Sequence, residues 1–142
     1  SEAGIIELGK MLGRGAAFGD YDQDGDVDIL VVNAGQKAQL LRNEGGNHNN
    51  WLHLKLIGIA SNRDGIGAKV RLTANGQNQL REVVCGTSYL SQSSIEVEFG
   101  LGTAQTVDRI EILWPSGRKQ ILTSIEINQR LQVVEPDPKD TR

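Results

Sequence analysis

The stretch Phe18-Gly19-Asp20-Tyr21-Asp22-Gln23-Asp24-Gly25-Asp26-Val27-Asp28-Ile29-Leu30-Val31-Val32 packs five aspartates into nine residues and then turns wholly apolar. Its second part is short and rich in β-branched residues, so it reads as a strand. The acidic part, Asp20 to Asp28, fits D-x-D-x-D-G-x-x-D and reads as a calcium loop between two β-strands. Calcium takes six to eight hard oxygens at about 2.3–2.6 Å, and carboxylates at positions 1, 3 and 5 (Asp20, Asp22, Asp24) can fold a short loop around one ion. Gly25 at position 6 allows the sharp turn. Asp26 at position 7 offers its backbone carbonyl and leaves its side chain to solvent. Asp28 at position 9 closes the site, directly or through water. An EF-hand is excluded, because position 12 is Val31 rather than Glu and the flank is a strand rather than a helix. A solvated acidic turn that binds nothing is disfavoured, since the carboxylates would repel one another without a cation. Magnesium prefers fewer protein ligands and more water, so the expected ion is calcium.

Working outward, the 142-residue chain carries a net charge of −3, and removing the five loop aspartates from that balance leaves +2. The acidity is therefore one local device. Basic residues are scattered without aromatic stacking partners, which argues against nucleic-acid binding. Apolar residues make up 38% and aromatics 4%, enough for a thin aliphatic core. No apolar run reaches the 18 or so residues of a membrane span, and no secretory hydrophobic region is present. The chain starts at Ser1 rather than Met, as expected of a processed or excised piece.

Strand alternation dominates after Trp51. Leu52, Leu54 and Leu56 share one face, with His53 and Lys55 on the polar side. Val70, Leu72 and Ala74, then Ile95, Val97 and Phe99, then Ile110, Ile112 and Trp114 follow the same rule, and Leu131 and Val133 repeat it near the end. Asn75-Gly76 is a strong hairpin signal, because a type I′ turn needs positive φ at both central residues. Pro115-Ser116-Gly117 reads as a second hairpin turn. Roughly seven strands with such spacing predict an antiparallel β-sandwich or barrel. Before Asn43–Asn50, which reads as a linker, Gly13–Gly19, Ile29–Val32 and Gln39–Arg42 are shorter strand candidates. The expected organisation is thus all-β, with a blade-like unit over residues 1–46 and a second β domain over 47–142.

Gly15 to Val32 resembles an FG-GAP (VCBS-type) repeat, the blade unit of integrin-like β-propellers. That resemblance implies that Asp20, Asp22, Asp24, Asp26 and Asp28 hold calcium between two blade strands. The stretches Asn62–Val70, Gly86–Ser91, Phe99–Gly102 and Trp114–Gly117 resemble an ASPIC/UnbV domain, a module found after such propellers. Together the two resemblances cover nearly the whole chain, which nonetheless has at most one blade where a propeller needs several. They imply an extracellular or cell-surface calcium-binding protein with an adhesive or scaffolding role, and they bring no catalytic residues.

Other candidates have plainer readings. Cys85, the only cysteine, is expected to be a small buried residue. His48 and His53 are expected to be exposed. Ser88, Ser91, Ser93 and Ser94 form a loop without a G-x-S-x-G elbow. Gly65-Ile-Gly67 precedes no helix and is not a phosphate cradle. Trp51 and Trp114 suit core or interface positions, and Asn62 with Asp64 suits an Asx turn. Three function classes are compatible with the sequence. They are a calcium-stabilised adhesion or binding module, a structural subunit built by intermolecular β-strand pairing, and, least favoured, a carbohydrate-active enzyme or accessory module. Partner proteins or self-association through β edges are expected, with a glycan or matrix ligand as a further class. Ile5-Ile6-Glu7-Leu8 is a candidate donor strand for a neighbour's sheet.

Overall fold

The computed structural model describes residues 11–137 and Lys139, and among these it has ten strands, most of them with apolar residues at alternate positions, and no α-helix. The proposed donor strand Ile5–Leu8 lies outside the described residues. The chain divides into two compact units, one formed by residues up to Gly46 with Gly86–Ser94, the other by Asn47–Cys85 with the chain from Ile95 onward.

The first unit is a three-stranded antiparallel sheet of β1 (Gly13–Gly19), β2 (Asp28–Asn33) and β3 (Gln39–Leu41), in that order. Phe18 pairs with Ile29 and Gly19 with Asp28, so the aspartate loop is the connection between β1 and β2. β2 is central and apolar along both faces. Ile29 and Val31 point one way, while Leu30 and Val32 on the other face are 43% and 48% exposed. The segment Gly86–Ser94 runs beside β1 as an arm: the Ser94 amide donates to the Phe18 carbonyl at 2.8 Å. The Phe18 amide donates to Ser93 Oγ at 3.2 Å, and the Arg14 guanidinium sits 5.6 Å over the Tyr89 ring. The serine-rich stretch is a loop, as its composition suggested.

The second unit holds β4 (Asn50–Ile57), β5 (Lys69–Ala74), β6 (Gln77–Glu82), β7 (Val97–Gly102), β8 (Val107–Leu113), β9 (Lys119–Ile125) and β10 (Gln129–Val134). They form a three-stranded sheet, β10-β4-β7, and a four-stranded one, β6-β5-β8-β9. Leu52, Leu54, Val97 and Phe99 of the first and Val70, Leu72, Ile110 and Ile112 of the second belong to one buried cluster with Trp114. No strand pairing among the described residues joins the two sheets into a closed barrel. Asn75 and Gly76 have φ of 48° and 71°, the left-handed pair that the β5–β6 hairpin requires. Between β8 and β9, Gly117 (φ 86°) ends the Pro115-Ser116 turn, and the Trp114 amide donates to the Arg118 carbonyl at 2.9 Å.

Three expectations need correction. The sheets are not purely antiparallel: β10 runs parallel to β4, from Gln129 against Leu52 to Val134 against Ile57. Parallel neighbours need a long crossover, here supplied by everything from β5 to β9, and alternation within a strand carries no information on direction. His53 is buried at 2% exposure, with its ring centroid 4.6 Å from that of Trp51. The polar side of β4 is thus covered at His53 and open at Lys55, a difference that alternation does not encode. Cys85 is exposed, since it lies where the chain leaves β6 for the arm. Trp114 is 1% exposed and donates from Nε1 to Gln120 Oε1 at 3.0 Å. Asn62 closes a turn by pairing its amide group with both backbone polar groups of Ile66.

Candidate metal site

Asp20 follows the last residue of β1 and Asp28 opens β2, so the paired strands bring these two carboxylates to the same end of the hairpin. Between them the backbone turns through Gln23 (φ 64°) and Gly25 (φ 101°). The first is tolerated by a polar residue in a turn, and the second suits glycine. Asp20 organises this turn by accepting the amides of Asp24 and Gly25, each at 3.1 Å. Asp28, 2% exposed, accepts the Tyr21 amide at 3.1 Å and the Asn43 amide at 2.9 Å.

Asp20, Asp22 and Asp28 each offer a carboxylate oxygen, and these oxygens lie within 4.8 Å of one another. Ligands on opposite sides of a calcium ion stand roughly 4.6–5.2 Å apart, so one ion can touch all three. Both oxygens of Asp22 are buried and accept no hydrogen bond. Oδ2 does lie 2.7 Å from Arg42 Nε, an ion pair by distance that is not aligned along the N–H. A buried carboxylate oxygen without a donor is costly, and a hard cation is the chemistry that satisfies it. The three-carboxylate donor set therefore suits a hard cation.

The structure does not place the other two predicted ligands in that group. Asp24 accepts the Asp26 amide at 3.2 Å and approaches Arg42 at 3.7 Å. Asp26 is corrected more strongly: its side chain is 4% exposed rather than facing solvent, and it accepts the Gly46 amide at 2.9 Å. It ties the loop to the segment after β3. Sequence reasoning also missed Arg42, whose guanidinium pKa is raised by the Asp22 carboxylate first and Glu44 next. A cation three residues after Gln39 was visible, but nothing local aimed it at the loop.

A second buried acid lies in the other unit. Glu135, 1% exposed, accepts the amides of Ile59, Ala60 and Ser61 at 2.8, 2.9 and 2.7 Å on Oε2. Its Oε1 accepts the hydroxyls of Ser61 at 2.9 Å and Ser116 at 2.5 Å. Burial pushes its pKa up, but the Ser116 hydroxyl and the backbone donors outweigh that and hold it at about 2. All its acceptor capacity is used internally, so it clamps a loop rather than serving a ligand.

These features define an all-β protein with a candidate hard-cation loop. ASPIC and UnbV is the family whose sequence profile matches residues 58–140, more than half of the chain, and the chain belongs to that family. It is 32% identical to cartilage acidic protein 1 of Homo sapiens over 138 residues, covering 91% of this chain and 20% of that protein. The Mus musculus protein of the same name is 31% identical over 137 residues, covering 90% and 20%. The Xenopus tropicalis one is 32% identical over 138, covering 91% and 21%. The chain thus spans about a fifth of the length of these relatives. The family match starts after the aspartate loop.

Proposed function

We propose that the Asp20–Asp28 loop binds one calcium ion and that the chain is a non-enzymatic extracellular binding or adhesion module. On this reading Asp20, Asp22 and Asp28 are side-chain ligands, while Asp24 and Asp26 shape the loop and supply charge. The first unit is then a blade of the FG-GAP/VCBS kind, followed by the ASPIC/UnbV domain over residues 47–142. The observation that carries the reading is the convergence of three carboxylate oxygens within 4.8 Å, one from a residue whose buried oxygens accept no hydrogen bond. The relatives are named for cartilage, a tissue that is largely extracellular matrix, which supports the location. No helix among the described residues is long and apolar enough to cross a membrane. The name of the relatives states no reaction, in keeping with a binding role.

The test is calorimetric titration of the chelator-stripped chain with calcium, repeated with Asp22→Ala. One ion per chain is expected for the wild type and none for the variant. Dissociation constants of extracellular sites fall near 10⁻⁴–10⁻³ M in order of magnitude. Absence of calcium heat in the wild type overturns the proposal. A value below ~10⁻⁷ M would indicate an intracellular buffer instead.

A second reading, a structural subunit assembled through β-sheet contacts, is favoured by Leu30, Val32 and Leu40. All three are between 43% and 49% exposed on the three-stranded sheet, as a blade awaiting neighbours would show. Light scattering over a concentration series separates the two readings.

A further inference from the structure

The outer face of the four-stranded sheet departs from what an antiparallel sheet shows to water. Such a face is ordinarily polar. Strand register places Leu80, Arg71, Glu111 and Ile121 in one row across β6, β5, β8 and β9. The adjacent row is Glu82, Lys69, Leu113 and Lys119. Leu80, Leu113 and Ile121 are 57%, 41% and 53% exposed, and they line a hollow of about 290 Å³ with Lys69, Arg71 and Lys119. That volume is at the lower end of ligand sites, enough for one or two apolar side chains. Glu111 also lines the hollow and pairs with Arg109 at 2.9 Å through Oε1, so three cations there meet one carboxylate that already has a partner. Counting Arg109, the face carries four cations against two anions, a balance of +2 on a chain whose net charge is −3.

We propose that this face docks an acidic protein segment, with an aliphatic or aromatic side chain entering the hollow and carboxylates meeting Lys69, Arg71 and Lys119. Charge complementarity selects the sign of the partner, and the exposed leucines and isoleucine require that it also be apolar. A purely polar anion would leave Leu80, Leu113 and Ile121 in water. The face lies in the second unit and is independent of the calcium reading, so it is tested in excess EDTA.

The probe is a fluorescein-labelled peptide of Glu-Glu-Leu-Leu repeats, which presents both chemistries on either side when extended. Its partner is the same peptide with serine in place of leucine. Fluorescence anisotropy is expected to show at least tenfold tighter binding of the leucine peptide, weakening steeply by 0.5 M salt. Leu113→Ser and Arg71→Glu should each weaken it at least tenfold while the melting temperature stays near that of the wild type. Equal binding of the two peptides, or unchanged binding by both variants, overturns the proposal. So does a face that takes only heparin or phosphatidylserine vesicles.

Discussion

A Cβ at Gly46 would stand 2.6 Å from the Cβ of Asp26 and 2.8 Å from Asn43 Nδ2. Gly46→Ala must therefore push Asp26 off the Gly46 amide and loosen the loop from behind. It should weaken calcium binding although residue 46 is no ligand, which titration of that variant checks. Asp22 acts in the opposite manner. Asp22→Ala should remove the calcium-induced rise in melting temperature, which at a hundredfold excess over Kd is worth about 2.7 kcal/mol. It should not lower the calcium-free stability and should raise it slightly, because it removes buried oxygens that accept no hydrogen bond while the ion pair lost, to solvent-exposed Arg42, contributes little. Glu135 gives a pH signature. Its folded pKa of about 2 lies below the ordinary 4.5, so between those values the unfolded chain binds more protons. Stability from this clamp is full above pH 4.5, declines through the interval and is gone below pH 2. Glu135→Gln should flatten that acid limb in denaturant titrations. Glu135→Ala should cost roughly 2–4 kcal/mol at pH 7, because three amides lose their acceptor.

At the scale of elements, alternation at Val70–Ala74, Val97–Phe99 and Ile110–Trp114 made the strands legible, and Asn75-Gly76 fixed one turn. Those signals are local, and so is the geometry they encode. The arm Gly86–Ser94 had no such signal, since its hydrogen bond to Phe18 spans dozens of residues and involves backbone atoms that every sequence possesses. Gly15 was a hidden clue: a side chain there would collide with Ser91 and the Tyr89 carbonyl. The arm can be loosened at its backbone tie to β1. Ser94→Pro deletes the donor to the Phe18 carbonyl. Hydrogen exchange should then quicken at β1 amides and remain slow in β4 and β5.

For the whole molecule, the five aspartates announced the candidate site, but not its internal division of labour. Asp20, Asp22 and Asp28 converge because β1 and β2 pair, whereas Asp26 turns inward to an amide 20 residues away. The bare face of Leu30, Val32 and Leu40 belongs to this scale too. If it meets a second copy, scattering should show oligomers above micromolar concentration, and Leu30→Ser with Leu40→Ser should dissolve them. A chain that stays monomeric throughout leaves the calcium module as the reading.

The parallel pairing of β10 with β4 governs the order of events at the ribosome. The first strand of the second unit emerges early, yet its neighbour appears only some 77 residues later, when Trp51 can meet Asn128. Until then one flank of β4 exposes its amides and carbonyls, and the loop at Ile59–Ser61 lacks the carboxylate that gathers it. Contacts this distant in sequence form slowly, because the loop entropy is lost before the contact is gained. Folding of this unit therefore waits for β10, and nascent chains stalled before Glu135 should be captured by chaperones and cut by proteases at β4.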